Sequence, residues 1–146
     1  MSISASIDFK ILNNNVKCIQ IVNLFLKYGW TLNDCGCITY LPVGDKDDFD
    51  WISEKITCDE IFKIIELKEV EKEIIGIVIT WKNTEIGGSC LFFENGLFSF
   101  CLNVNRKIIK SSLVRRTDVS WYLTRILPVF ELENIQIETI KFEEII

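Results

Sequence analysis

The sequence predicts an α+β domain in which a mostly antiparallel sheet of about six strands carries helices packed mainly on one face. Three observations indicate this class. Apolar and polar residues alternate over 3–11, two apolar runs flank Asn95-Gly96, and three other segments repeat apolar residues at helical spacing. The chain has 146 residues, 49% of them hydrophobic, which suits one domain over 1–146 with one core.

The first strand and the first helix are predicted by their different periods. Over 3–11, Ile, Ala and Phe alternate with Ser, Asp and Lys, as in a half-buried strand. The run Asn13-Asn14-Asn15 ends it, and Asn15 is expected to cap a helix over about 16–28. Gly29 is expected to stop that helix.

The middle of the chain predicts a short strand, an acidic loop and a second helix. A strand is expected over 37–41, followed by a solvated loop over 45–51 that leads into a short helix. Thr57 and Glu60 have the spacing of a capping box before an apolar helical stripe. The β-rich, apolar run over 74–81 then predicts a central strand.

A hairpin centred on Asn95-Gly96 is expected to organise the sheet, as part of a meander over 74–104. Both residues tolerate the positive φ of a two-residue type I′ turn. That turn would place Phe93 opposite Phe98 and Cys90 opposite Cys101. One face of the hairpin would then be wholly apolar, made of Leu91, Phe93, Phe98, Phe100, Leu102 and Val104.

The C-terminal third predicts a loop, a helix and a strand. Basic residues over 106–116 are expected in a loop or a frayed strand. Thr117 is expected to cap a helix that Pro128 ends. A final strand over 135–142 changes the phase of its alternation, which predicts a β-bulge near Glu138-Thr139.

Charge and hydropathy limit the classes of partner. The net charge of −5 argues against nucleic acid as a direct ligand and permits a basic protein partner. No apolar run approaches the roughly 20 residues that cross a bilayer, so no membrane association is expected. The N-terminal residues show no secretory signal, and we expect a cytoplasmic protein.

Neither a metal nor another cofactor is expected. The six cysteines lack C-x-x-C spacing and no His is present, so free thiols are expected rather than a zinc site. The acidic run from Asp45 has Asp50 and Ile56 where a calcium loop requires Gly and Glu. Enzymatic activity is not expected either, because the chain has no His and no phosphate-binding or nucleophile motif.

The acidic loop is the strongest candidate for a functional surface. Trp51 stands beside four carboxylates, and an aromatic anchor within an acidic patch is typical of a surface that binds a basic partner. The alternative is an ordinary solvated loop. The residues concerned are Asp45, Asp47, Asp48, Asp50 and Trp51.

Three stretches resemble a known protein family. They are 86–106, beginning Ile86-Gly87-Gly88-Ser89, the segment 117–123, and Trp30-Thr31-Leu32-Asn33-Asp34. Together with the length and the acidic charge, they look like the small immunity proteins of bacterial polymorphic-toxin and contact-dependent growth inhibition systems. The likeness is structural and includes no catalytic motif.

The resemblance implies binding rather than catalysis. An immunity protein binds the C-terminal domain of its cognate toxin in the cytoplasm and neutralises it; here the toxin is expected to be basic and to be a nuclease. The acidic loop would supply the contact, with Glu66, Glu69 and Glu73 as second candidates. The alternative function is a small acidic chaperone or adaptor for a secreted effector.

Overall fold

The computed structural model describes residues 2–12 and 15–146 and has an α+β fold. Eight strands and three helices are present in this part of the chain. They are β1 (Ser4–Ile11), α1 (Cys18–Lys27), β2 (Trp30–Thr31), β3 (Ile38–Tyr40), β4 (Ile52–Glu54), α2 (Cys58–Val70), β5 (Ile75–Trp81), β6 (Gly87–Phe92), β7 (Leu97–Val104), α3 (Val119–Glu131) and β8 (Ile137–Ile145).

All the strands pair antiparallel in one open sheet. The order is β4-β3-β5-β6-β7-β1-β8, and β2 also pairs with β5. The predicted class and the central meander are confirmed, although the sheet has eight strands rather than about six. The helix expected after the acidic loop is present as α2, but the strand β4 between them was not expected; Ile52 to Glu54 pair with β3.

The hydrophobic core lies between the sheet and the helices. Ile7 and Phe9 of β1 are fully buried there, and Phe9 stacks on Phe98 of β7 with ring centroids 5.5 Å apart. Phe25 of α1 and Phe130 of α3 complete this aromatic cluster, with their centroids 5.9 Å apart. Burial of each such ring stabilises the fold by about 1.5 to 3 kcal/mol, so this cluster helps to hold α1 and α3 on the sheet.

The hairpin register differs by one residue from the prediction. Cys90 lies opposite Phe100 and Phe92 opposite Phe98, and the Phe93 N–H donates to the Leu97 carbonyl at 2.9 Å. The loop therefore contains three residues, 94–96. Of these described residues only Gly96 has a positive φ, 81°. This is the three-residue geometry in which a turn is followed by a left-handed glycine.

The one-residue shift reverses the faces of β6. Phe92 and Cys90 enter the core, whereas Leu91 and Phe93, which were predicted to do so, are only half-buried. The predicted core residues of β7 are confirmed for Phe98, Phe100 and Leu102. Cys101 lies opposite Ser89 and not opposite Cys90, so the expected pairing of the two cysteines was also wrong.

The start of α1 has a different capping arrangement from the one expected. Lys17, not Asn15, is the N-cap residue. A lysine side chain has no oxygen that could accept from the first N–H groups of the helix. Glu69 of α2 accepts one of these hydrogen bonds instead, from the Cys18 N–H to its Oε2 at 2.9 Å. A carboxylate at a helix N-terminus is also favoured by the helix dipole. Asn13 and Asn14, which were predicted to end the first strand, lie outside the described residues.

The start of α3 is also shifted by one residue. Asp118 caps it by accepting from the Trp121 N–H at 3.3 Å, whereas the predicted cap, Thr117, accepts from Arg106 at 2.9 Å. The capping box of α2 is confirmed, with the Glu60 N–H donating to the Thr57 hydroxyl at 3.1 Å.

The end of α3 also differs from the prediction. Pro128 lies inside the helix, which continues to Glu131. The Trp30 indole N–H donates to the Arg125 carbonyl at 3.0 Å, close to the position where proline removes a helical donor.

The last strand contains the predicted β-bulge. In β8, Ile137 lies opposite Ile11 and Thr139 opposite Lys10, so Glu138 is the extra residue of the bulge.

Within residues 2–12 and 15–146, no helix combines the length and the hydropathy that a bilayer-spanning segment requires.

Candidate functional site

The acidic loop connects β3 to β4 and is fixed to the end of α2. The Lys68 ammonium group donates to the Pro42 carbonyl at 2.7 Å. It also lies 3.4 Å from the carboxylate of Glu73, which accepts from the Gly44 N–H at 2.9 Å. Lys68 is completely buried. The buried ammonium group of Lys68 and the partly exposed carboxylate of Glu73, each with a backbone partner, therefore fix the base of the loop.

Within the loop, the four aspartates divide into one inward and three outward side chains. Asp45 is only 8% exposed, and its Oδ1 accepts from the Asp50 N–H at 3.4 Å. The side chains of Asp47, Asp48 and Asp50 are exposed. The backbone at Asp47 has a positive φ of 63°. The predicted acidic surface is therefore formed by three carboxylates, with Asp45 serving the loop itself.

The carboxylates of Asp45, Asp48 and Asp50 lie close together. One oxygen from each is within 4.8 Å of the other two, so a single cation could contact all three. Oxygen ligands of this kind suit a hard divalent ion. We assign no metal to the cluster, because two of its members face solvent and exposed acidic groups commonly gather without an ion.

Trp51 has an intramolecular contact that the sequence did not indicate. Gly76 of β5 faces it, and a Cβ at Gly76 would lie 2.7 Å from the Trp51 ring and 2.6 Å from Leu41. The indole therefore lies directly on the backbone of a central strand, on the face opposite to the helices. It remains half-buried, so part of the ring is available at the surface beside the aspartates.

The three candidate glutamates, Glu66 and Glu69 in α2 and Glu73 just after it, have different surroundings. Glu66 is exposed to solvent. Glu69 is half-buried and accepts from the Cys18 N–H, and Glu73 is occupied by Lys68 and Gly44. Two of the three predicted partner residues thus have structural contacts of their own, and Glu66 is the one that is simply presented to solvent.

A cleft of about 150 Å³ includes Glu69 and Glu73 in its lining. It is bounded by the start of α1, the end of α2 and the tip of the β6–β7 hairpin. Its polar lining includes Glu69 and Glu73 together with Glu94 and Lys72, which pair at 3.7 Å. Glu94 and Lys72 were not predicted as site residues, because their proximity depends on the contact between the hairpin tip and the segment after α2.

The buried cysteines are poor nucleophiles. Burial raises the pKa of the Cys18 thiol, which lines the cleft, and the nearby Glu69 carboxylate raises it further. Burial likewise raises the pKa of Cys90. Because the thiolate is the reactive form, both side chains remain protonated near neutral pH. The cleft therefore holds no activated thiol among the residues that line it.

Trp81 and Trp121 form a second polar-aromatic feature with Arg125. The Arg125 guanidinium lies 5.4 Å from the Trp81 ring and 4.2 Å from the Trp121 ring. Its Nε is buried without a hydrogen-bond partner. No local pattern in the sequence indicated this stack, because Trp81 of β5 and Trp121 of α3 are 40 residues apart in the chain.

Comparison of the chain with models of protein families, with curated proteins and with solved structures yields no match. What this chain does must therefore be inferred from its residues and their geometry, together with the resemblance noted from the sequence.

Proposed function

We propose that this chain is an immunity protein that binds the C-terminal domain of a cognate bacterial toxin and neutralises it in the cytoplasm. The observation that supports this most directly is the fixed acidic loop. It presents Asp47, Asp48 and Asp50 to solvent while its base is held by the ion pair between the buried Lys68 and Glu73. A surface that is ordered before binding loses less conformational entropy when a partner arrives.

The proposed partner is basic, and a nuclease is the toxin class that fits best. The groove of a nuclease carries positive charge because it binds phosphates. Three adjacent carboxylates present the same sign of charge as a phosphate backbone and would accelerate association with such a groove. The half-exposed ring of Trp51 lies beside them and supplies an aromatic contact of the kind enriched in binding hot spots.

Co-expression tests the proposal. The toxin domain encoded beside this chain is expressed in bacteria with the wild-type chain, with a triple variant carrying Asp47→Asn, Asp48→Asn and Asp50→Asn, or with a control. The control changes Glu85, Glu131 and Glu138 to Gln, so it removes the same charge from exposed side chains elsewhere.

Growth should be restored by the wild-type chain and by the control, and restored less well by the triple aspartate variant. Continued growth arrest despite soluble wild-type protein would contradict the proposed function. Equal protection by all three proteins would leave neutralisation intact but remove the acidic loop from it.

A further inference from the structure

The strand β8 lies at one end of the sheet and has a free backbone edge. Eight of its nine residues pair with β1 on one side, and no strand pairs with its other side in the described part of the chain. Most of its side chains are exposed. A long edge strand of this kind offers a row of unpaired N–H and C=O groups to another strand.

The helix layer does not extend over β8. Phe142 lies opposite Ile7, and Ile140 lies opposite Phe9. Cross-strand neighbours share a face, so all four side chains point to the helix side. Ile7 and Phe9 are fully buried, yet Ile140 is 45% exposed and Phe142 is 37% exposed. Two large apolar side chains therefore extend the core face beyond the helices that cover it.

The other face of β8 carries adjacent charges of opposite sign. Lys141 and Glu143 are two residues apart, and their charged groups lie 3.7 Å from each other. Both are well exposed. Lys141 lies opposite Asp8 of β1, and Glu143 lies opposite Ser6. Charged residues usually protect an edge strand against pairing. A lysine and a glutamate two residues apart can instead favour pairing, because in an antiparallel copy of the same strand each lysine can lie opposite a glutamate.

We propose that β8 is a self-association edge, at which a second copy of this chain adds its own β8 antiparallel across a two-fold axis centred on Phe142. In this register Lys141 of each copy faces Glu143 of the other, which gives two opposite-charge pairs. The two Phe142 rings meet on the helix face at the axis. The eight-stranded sheet would continue into the sheet of the second copy.

The charges select this register over its neighbours. Centring the axis on Lys141 would place the two lysines opposite each other, and centring it on Glu143 would do the same to the two glutamates. Like charges directly opposite are destabilising. Centring on Ile140 would bring the bulge at Glu138 into the paired segment, where it would interrupt the ladder.

This association would leave the acidic loop free. The loop precedes β4, and β4 and β8 are the two ends of the strand order. Self-association through β8 is therefore separate from the proposed function. Its test uses no toxin, so its failure would leave the immunity proposal untouched.

Sedimentation velocity of the purified chain provides the test, over about 5 to 300 µM because a short edge contact gives a weak dimer. The variants are Lys141→Glu, Glu143→Lys and the double exchange of both residues. Glu at position 141 would face Asp8 and could impair folding. The Glu143→Lys variant places its new side chain opposite the uncharged Ser6, so it tests the proposal by itself. Circular dichroism checks that this variant is folded.

The wild-type chain should form a dimer within this range, and each single variant should associate at least tenfold more weakly. The double exchange, and an equimolar mixture of the two single variants, should recover dimer formation, because every Glu again faces a Lys. A wild-type chain that stays monomeric at the highest concentration would overturn the proposal. The proposal would also be overturned if the Glu143→Lys variant folds normally and dimerises as tightly as the wild-type chain.

Discussion

The ammonium group of Lys68 lies 3.4 Å from the carboxylate of Glu73, and this pair joins the end of α2 to the base of the acidic loop. Each partner also contacts the loop backbone: Lys68 donates to the Pro42 carbonyl, and Glu73 accepts from the Gly44 N–H. A buried charge that loses its partner is costly, so the pair makes the position of the loop depend on the folding of α2.

Replacing Glu73 by Gln should lower the free energy of unfolding by about 3 kcal/mol. The Gln side chain keeps an acceptor for the Gly44 N–H but leaves the buried Lys68 charge without its counter-charge. Urea unfolding followed by circular dichroism measures the change. Glu66→Gln makes the same change at an exposed position of α2; it is the matched control and should alter stability by less than about 0.5 kcal/mol. Equal effects of the two variants would argue against a stabilising role for the Lys68–Glu73 ion pair.

The hairpin register predicts unequal roles for two adjacent phenylalanines. Phe92 is buried and stacks on Phe98 with ring centroids 4.8 Å apart, whereas Phe93 is half-buried at the rim of the cleft. Phe92→Ala should therefore cost about 3 to 5 kcal/mol of unfolding free energy. Phe93→Ala should cost about 1 kcal/mol. The reverse order would favour a two-residue turn at Asn95-Gly96.

The stability contributed by Glu144 should disappear in acid. Burial raises the pKa of this carboxyl, but hydrogen bonds from the Thr117 N–H at 2.8 Å and from Arg116 at 2.9 Å outweigh it, and the folded-state pKa is lowered. The stabilisation is then fully present above the unfolded-state pKa, near 4.5, and is lost as the pH falls through the folded-state value.

Urea unfolding of the wild-type chain and of Glu144→Gln at pH 7 and pH 3 measures this effect. The difference between the two proteins should be about 1 to 3 kcal/mol at pH 7 and should shrink at pH 3. Glu138→Gln, at an exposed position of the same strand, is the control and should show no such change. A difference that is independent of pH would contradict the assigned charge of Glu144.

The cysteines of the folded protein should react with a thiol reagent at rates that follow the exposure of their side chains. Cys35 and Cys58 are exposed and should react first. Cys18 and Cys90 are buried with raised pKa values, so they should react only after denaturation. Replacing Cys35 and Cys58 by Ser should remove the fast phase. Fast labelling of Cys18 in that double variant would show that the cleft opens more than this structure implies.

Local patterns in the sequence predicted most of the elements, because each depends on neighbours in the chain. The alternation over 3–11 and the capping box at Thr57 and Glu60 both act within a few residues, and both predictions are confirmed. The two-residue turn was wrong because Asn-Gly fits two loop lengths, and the packing of Phe92 against Phe98 selects the longer one.

Contacts between distant residues explain the other differences. Glu69 caps a helix that starts 51 residues earlier, and Lys68 is buried by a loop 26 residues away. Pro128 was expected to end a helix, but α3 continues beyond it, because burial of Val129 and Phe130 stabilises the last turn. The acidic loop was found from composition alone, whereas the inward direction of Asp45 and the contact of Trp51 with Gly76 required the three-dimensional structure.

The central claim, that this chain neutralises a basic toxin domain through the acidic loop, is tested most directly by the association rate constant of the two proteins. Stopped-flow measurements should find that this constant falls at least about tenfold between about 50 and 300 mM salt. The variant with Asp47, Asp48 and Asp50 changed to Asn should associate about tenfold more slowly, and the Glu85, Glu131 and Glu138 control should match the wild type. Association that is insensitive to salt and to the aspartates, or no association at all, would contradict the claim.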